Sequence, residues 1–173
     1  MALGSNTKFY ETPNHPYQGE RIADESNLLG RYGLKNKEEL WRAQSELRAY
    51  RREARKLLGR AEGEGSRFEA DEFLTRLKRL GILNETDSLD DVLSLDVTDV
   101  LERRLQTVVY RKGYANTPEQ ARQFISHGHI VLGDSRVTRP SVKVEADAEG
   151  DVGFDEHSPI SDELHPERAE AQE

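Results

Sequence analysis

The densest chemistry in this sequence is cationic. Arg48, Arg51, Arg52, Arg55 and Lys56 put five positive side chains into nine residues, and Arg103, Arg104, Arg111, Lys112, Arg122, Arg136 and Arg139 follow in a second stretch. A guanidinium presents a planar fork that matches a carboxylate or a phosphate, and it sheds water more readily than an ammonium. With 18 Arg against 7 Lys, the chain favours that fork. Other chemistries lack their parts. Cysteine is absent, which excludes disulfides, thiolate metal sites and Cys nucleophiles. No nucleophile stands with a plausible base, and no GxxxxGK loop is present to cradle a phosphate. Asp90, Asp91, Asp96 and Asp99 have neither the intervals nor the turn glycine of a calcium loop; the first turns of helices explain them better. His127 and His129 flank Gly128 with no third ligand nearby, so a helix exit accounts for them. The expectation is no catalytic residue, no metal and no cofactor.

The charge is unevenly placed. The 173 residues are 35% hydrophobic and 34% charged with a net charge of −8, so the core must be modest. Residues 1–60 carry 12 basic and 8 acidic side chains, residues 61–100 carry 4 and 11, residues 101–144 carry 8 and 3, and residues 145–173 carry 1 and 11. Two basic blocks thus alternate with two acidic ones, a pattern that suits a polyanionic partner or merely solvated faces. Within 101–144 the three acids cannot neutralise eight cations, which favours phosphate contact there. No apolar run reaches the roughly 18–20 residues of a membrane span, and the N-terminus has no apolar stretch of the secretory kind; a soluble, non-secreted chain is expected.

These side chains need positioning. Residues 1–35 read as an extended arm punctuated by Pro13, Pro16, Gly30 and Gly33, whose aromatics Phe9, Tyr10 and Tyr17 lie either on a partner or on the protein's own body. Residues 36–100 read as helical. Asn36 caps a helix with Glu39 as its N3 partner, Leu40, Ala43, Leu47, Ala54, Leu57 and Leu58 recur at helical period, and Gly59 ends it, often with positive φ. The cations of its last turns complement the helix dipole, but five exceed that purpose and favour an anion. Ser66 and Glu69 open a second helix that Gly81 ends, and Ser88–Leu93 a short acidic one. Residues 97–144 are the best patterned, and 101–146 read as a separate module. One apolar face runs through Val97, Val100, Leu101, Leu105 and Val108 to Gly113. Thr117, Pro118 and Gln120 then open another helix, whose N–H groups from Thr117 onward offer a phosphate seat. Strand-like His129–Leu132 turns at Gly133-Asp134 into a second strand at Arg136–Thr138, and Ser141–Val144 reads as a further short strand. Residues 147–173 read as a disordered acidic tail. The fold class is α+β: a mainly helical N-terminal region, then a helix-turn-helix plus β-hairpin module.

Residues 101–144 closely resemble the RNA-binding module named after small-subunit ribosomal protein number four. The shared marks are Arg103-Arg104-Leu105, Gly113, Gln120-Ala121-Arg122, His127-Gly128-His129-Ile130, Gly133 and Pro140-Ser141. Tyr32-Gly33-Leu34-Lys35-Asn36-Lys37, Glu39-Leu40-Trp41-Arg42 and Ala54-Arg55-Lys56-Leu57-Leu58 look like the archaeal and eukaryotic form of that protein. The resemblance implies a non-catalytic, cytoplasmic ribosomal protein and a primary binder of small-subunit rRNA. It implies a nucleus for assembly of the subunit body, an influence on decoding accuracy, and a place beside the fifth small-subunit protein near the path by which mRNA enters. RNA of this kind is read by shape and backbone, which suits arginines spread over a rigid wedge, with His127, Arg136 and Arg139 on the loop and hairpin. Tyr110 and Tyr114 offer faces to bases or to helix packing, and packing is preferred. Pseudouridine synthases and a tRNA synthetase carry the same module, but with a large catalytic domain that this chain has no room for. An adaptor using Arg48–Lys56 against an acidic protein is the other reading. The family is usually basic; this chain, with pI near 5.3, many acids and little Lys, is expected to come from a halophilic archaeon.

Overall fold

The computed structural model describes residues 8–60, 64–162 and 165–168. Its first two helices, α1 (Gly19–Tyr32) and α2 (Lys37–Leu58), fold back on each other through a left-handed turn at Gly33, φ 55°. The helix α1 takes up Gly19–Tyr32 of the extended arm expected over 1–35. Its register was hidden because a buried position is a carboxylate: Glu25, 2% exposed, accepts hydrogen bonds from Arg21 at 2.5 Å and the Trp41 indole at 3.1 Å, and pairs with Lys37 at 3.0 Å. A paired charge can be buried where an apolar residue would be expected. Ahead of α1 only part of the chain lies on the protein's own body, since Phe9 and Tyr17 are 85% and 94% exposed. Tyr10 packs 6.1 Å from Trp41, the Glu11 N–H donates to Ser45 at 3.0 Å, and Arg48 pairs with Glu11 at 2.7 Å.

Asn36 caps α2 as expected, accepting the Glu39 N–H at 3.1 Å, whereas Gly59 closes it at φ −81° and needs no left-handed turn. Next come α3 (Glu64–Arg79), α4 (Asp91–Ser94) and α5 (Val97–Glu102). The second helix therefore starts two residues before Ser66, whose side chain lies outside the described residues, and the acidic helix starts three residues after Ser88. Apolar side chains of these five helices, among them Leu40, Leu47, Phe73, Leu77, Val92 and Leu101, form the first core.

The single helix expected from Val97 towards Gly113 is two. Between α5 and α6 (Leu105–Arg111), Arg103 and Arg104 leave helical geometry, and Arg104 is extended at ψ 140°. The break lets this strip pair with the segment that follows Pro140. Leu105 N–H donates to the Val142 carbonyl at 2.7 Å, Gln106 N–H to Pro140 at 3.2 Å, and Val144 N–H to Arg103 at 2.9 Å. The apolar period survives the break because both sides bury it, which is why the pattern read as continuous. The expected strand at Ser141–Val144 is reduced to one bridge, Lys143 opposite Arg104.

Thr117 and Pro118 start α7 (Pro118–Ser126) as read, with Thr117 accepting the Gln120 N–H at 3.1 Å. The hairpin also stands: β1 (Ile130–Leu132) and β2 (Ser135–Arg136), the latter expected at Arg136–Thr138, are antiparallel. A third strand, β3 (Val152–Phe154), completes the sheet in the order β2-β1-β3. This moves the start of the acidic tail, expected at 147. Asp147–Asp151 and Pro159–Ser161 are single 3₁₀ turns, and Val152 and Ile160 join Leu105, Val109, Phe124 and Ile130 in the second core. A few well-placed apolar residues and the open edge of β1 were enough to order a stretch whose composition reads as tail.

A Cβ at Gly33 would lie 2.8 Å from both Gln106 Nε2 and Pro118 Cβ, in addition to the strain of positive φ; at Gly113, φ 76°, nothing lies within 4 Å. Gly113→Ala is therefore expected to cost only the conformational term, about 1–2 kcal/mol, and Gly33→Ala clearly more. Equilibrium denaturation in constant salt checks the order; equal costs would mean that the Gly33 contact gives way freely.

Candidate nucleic-acid interface

The two cores meet at one carboxylate. Glu39 sits in the first turn of α2, where it was read as the capping partner of Asn36. Its side chain instead turns to the RNA-binding-like module, accepting Arg104 at 2.7 Å and Arg122 at 2.6 Å through the same oxygen. Beside it, the Gln106 amide donates to the carbonyls of Tyr32 (3.2 Å), Gly33 (2.9 Å) and Pro118 (2.8 Å). Arg122 Nε also donates to Gly33 at 3.3 Å. Further along the same face of α2, Lys143 pairs with Glu46 and donates to the Tyr50 hydroxyl at 3.1 Å, and a cleft of about 250 Å³ lies between these residues and Glu39 and Arg104. Burial would raise the Glu39 carboxyl, but the hydrogen bond from Arg122 and the charges of Arg104 and Arg122 outweigh it and hold it below the usual carboxylate range. Burial of the Arg104 guanidinium lowers it from its usual value, against the opposing pull of Glu39.

The expected cations accordingly divide. Arg104 is 7% exposed and directed at Glu39, so it serves the junction of the two cores rather than a surface. Arg103 forks onto Glu149 at 3.1 Å from both terminal nitrogens and reaches the Val144 carbonyl at 3.0 Å. Lys112 donates to the Glu149 carbonyl. Arg111 forks onto Glu102, at 2.9 and 3.2 Å. Tyr32 donates to the same carboxylate at 2.8 Å; burial, then this bond, push its hydroxyl up to about 12. Arg136 grips Asp155, 2.7 Å from Nε. The reasoning that local acids were too few to occupy these arginines is corrected: Glu39, Glu149 and Asp155 come from outside 101–144. Nothing in residue order marks Glu39 or Glu149 as their partners, since the pairs are 46 to 83 residues apart.

The α2 cluster also splits. Arg51 turns inward and donates to the Leu95 carbonyl, and Arg48 takes Glu11. Arg52, Arg55 and Lys56, one helical turn apart, stay exposed with no side-chain partner among the described residues, as does Arg139 beyond the hairpin. His127 is exposed at the end of α7, its ring 6.0 Å from that of His129. Thr117 gives its oxygen to Gln120 N–H and Pro118 has no N–H, which narrows the expected phosphate seat to little more than Glu119. Tyr114 packs edge-on against Phe154 at 5.1 Å and donates to the Val152 carbonyl, so it serves packing as preferred. Among the described residues no group of three or more His, Asp or Glu side chains could hold a metal, and no helix is long and apolar enough to cross a membrane.

Two short helices, a tight hairpin and an arginine-bearing strip folded back on itself define the class: residues 103–151 match the S4 domain family. The likeness extends over the full chain. It is 83% identical over 173 residues to the small ribosomal subunit protein uS4 of Haloarcula marismortui, covering all of both chains. It is 68% identical over 174 residues to that of Natronomonas pharaonis, covering 99% of this chain, and 48% over 166 residues to that of Methanococcus aeolicus, covering 95% of this chain and 93% of the relative. The chain belongs to the uS4 family of small ribosomal subunit proteins, and within it to the form found in halophilic archaea, as its composition suggested.

Because Glu39 is depressed in the folded state, its contribution to stability is fully present above the unfolded value, about 4.3, and is lost as pH falls through the lower folded value. Stability in constant salt should fall below about pH 5 with a slope that Glu39→Gln makes shallower. At pH 7 that variant, which leaves Arg104 buried beside a neutral amide, is expected to cost about 3 kcal/mol. A pH series of denaturation midpoints that is the same for both proteins would place the acid sensitivity elsewhere.

Proposed function

We propose that this chain is a structural, non-catalytic constituent of the small ribosomal subunit that binds small-subunit rRNA as an early partner and nucleates folding of the subunit body. Family membership supports the ribosomal role. The observation that carries the RNA reading is the free cationic face of α2. Arg52, Arg55 and Lys56 lie within two turns of one rigid helix and face outward without a carboxylate, while neighbouring cations with internal partners do not. Phosphates two or three along a strand can be met together by side chains so spaced, and fixed placement lowers the entropy of contact. Arg139 and His127 extend the same chemistry at the hairpin end of the module.

Arg103, Arg111, Lys112, Arg122 and Arg136 contribute in a second way. Each is held in place by a carbonyl or carboxylate and retains part of its surface. A guanidinium has five donors, and one fork leaves others for a phosphate. Arg48 and Arg51 keep the same option at the start of the α2 face. Placement beside the fifth small-subunit protein near the path by which mRNA enters, and an influence on decoding accuracy, follow from the family likeness and form part of this reading. The adaptor alternative needs an acidic protein against the α2 face and predicts binding that RNase leaves intact.

Affinity for small-subunit rRNA, with an equal mass of unrelated folded RNA as competitor, tests the reading from low salt to about 3 M KCl, where the screening length is below about 3 Å. Selective binding that persists into molar salt is expected. Binding that is unselective at every salt, or that falls steeply and continuously up to molar KCl, would refute it. Arg52→Gln with Arg55→Gln and Lys56→Gln should weaken binding and flatten the salt slope below 0.5 M by about 2–3, at about 0.9 per lost phosphate contact. The melting temperature should not change. Arg104→Ala should do the reverse, lowering stability while leaving the slope of the folded fraction nearly intact.

A further inference from the structure

One surface takes no part in that reading. Between α2 and α3 runs an open groove of about 970 Å³ with Leu57, Phe73 and Leu80 along it. Phe68 stands at its side, 72% exposed on a helix. Two of the cations there are already committed: Arg76 to Glu53 at 3.2 Å and Arg79 to Glu145 at 2.6 Å. The exposed Asp71 and Glu72 have no side-chain partner among the described residues. Lys56 marks the edge where this groove gives way to the cationic face of α2.

We infer that this groove seats a basic, extended segment of a neighbouring protein in the small subunit. Two features of the groove select that occupant. Unpaired carboxylates repel a polyanion, so rRNA, which suits the α2 face, does not suit this one. Water alone would leave the Phe68 ring bare beside the half-buried Leu80. A Lys- or Arg-rich segment answers both: its charges meet Asp71 and Glu72, a guanidinium lies over the Phe68 ring, and its stems cover the half-buried Leu80. The acidic block of residues 61–100 then has a structural use besides solvation, as the protein-facing side of a molecule whose other side faces RNA. This inference rests on the chain's place in the small subunit, and not on which arginines touch rRNA.

The chain has no cysteine, so Phe68→Cys supplies a single thiol for a benzophenone maleimide. The labelled full-length chain is incorporated into small subunits, recovered by sedimentation and irradiated. The expected result is a cross-link to a protein, with mass spectrometry placing the attached peptide in a Lys/Arg-rich stretch. Adding Asp71→Lys and Glu72→Lys to the labelled chain should cut the yield at least threefold. A cross-link to rRNA or to a protein segment without excess positive charge would overturn the inference. So would the absence of any cross-link in subunits that contain the chain, or a yield indifferent to the charge reversal. Failure of the unlabelled chain to enter the subunit at all would instead count against the function proposed above.

Discussion

The architecture depends on one shared carboxylate. Glu39 belongs to the helix that organises the first core, and both arginines that it holds belong to the module built on the second. Two guanidiniums brought this close repel each other, and Arg104 is nearly out of water; without an anion between them the two cores could not approach. The amide of Gln106 does the neutral half of the same task, tying the Tyr32-Gly33 turn to the start of α7 through three carbonyls. The glycine at 33 is what lets the backbone come that near. A carboxylate, an amide and a missing side chain thus set the angle between the helical region and the module.

That junction explains why the module's cations are not all alike. A wedge that meets folded RNA must be rigid before it binds, because ordering several long side chains on contact would offset much of what each phosphate contributes. Arg103, Arg111 and Arg136 are rigid because carboxylates already hold one edge of each fork. The same residue type therefore spans a range: wholly structural at Arg104, partly committed at Arg122 and Arg103, and without a side-chain partner among the described residues at Arg52, Arg55 and Arg139. Counting arginines in the sequence sees only their sum.

What the sequence made legible was whatever is local. The Asn36 and Thr117 caps, the Pro118 start and the Gly133-Asp134 turn are each settled within four residues, and each stands. The α2 period stands at Leu40, Ala43, Leu47, Ala54 and Leu57, whereas Leu58 is exposed and Tyr50 fills the buried position between Leu47 and Ala54. The reading failed where a long-range partner decided the outcome. Helix α1 was missed because Glu25 occupies a core position, tolerated only through Arg21, Lys37 and Trp41. The helix broke at Arg103 and Arg104 because residues 140–144 offered their own backbone groups to pair. The acidic stretch after 147 folds in part because β1 has an open edge. Glu39 was credited with a capping role by its spacing, and only the tertiary fold shows that its charge goes elsewhere.

Acidity and RNA binding are compatible in such a molecule for a reason that follows from range. Repulsion between a chain of net charge −8 and rRNA is a long-range effect, and it vanishes where the screening length is only about 3 Å. A guanidinium fork on a phosphate or a carboxylate acts at contact, with two aligned hydrogen bonds, and keeps its directionality there. Molar salt thus removes the penalty of the acidic blocks and leaves the forks. A lysine-rich version would lose more, since a point charge without fixed geometry relies on the part of the interaction that salt screens. The same reasoning limits the acids: they are harmless to RNA binding where they are spent on arginines, as Glu39, Glu149 and Asp155 are. The distribution of charge over this fold, more than its sum, is what a salt-adapted RNA binder has to get right.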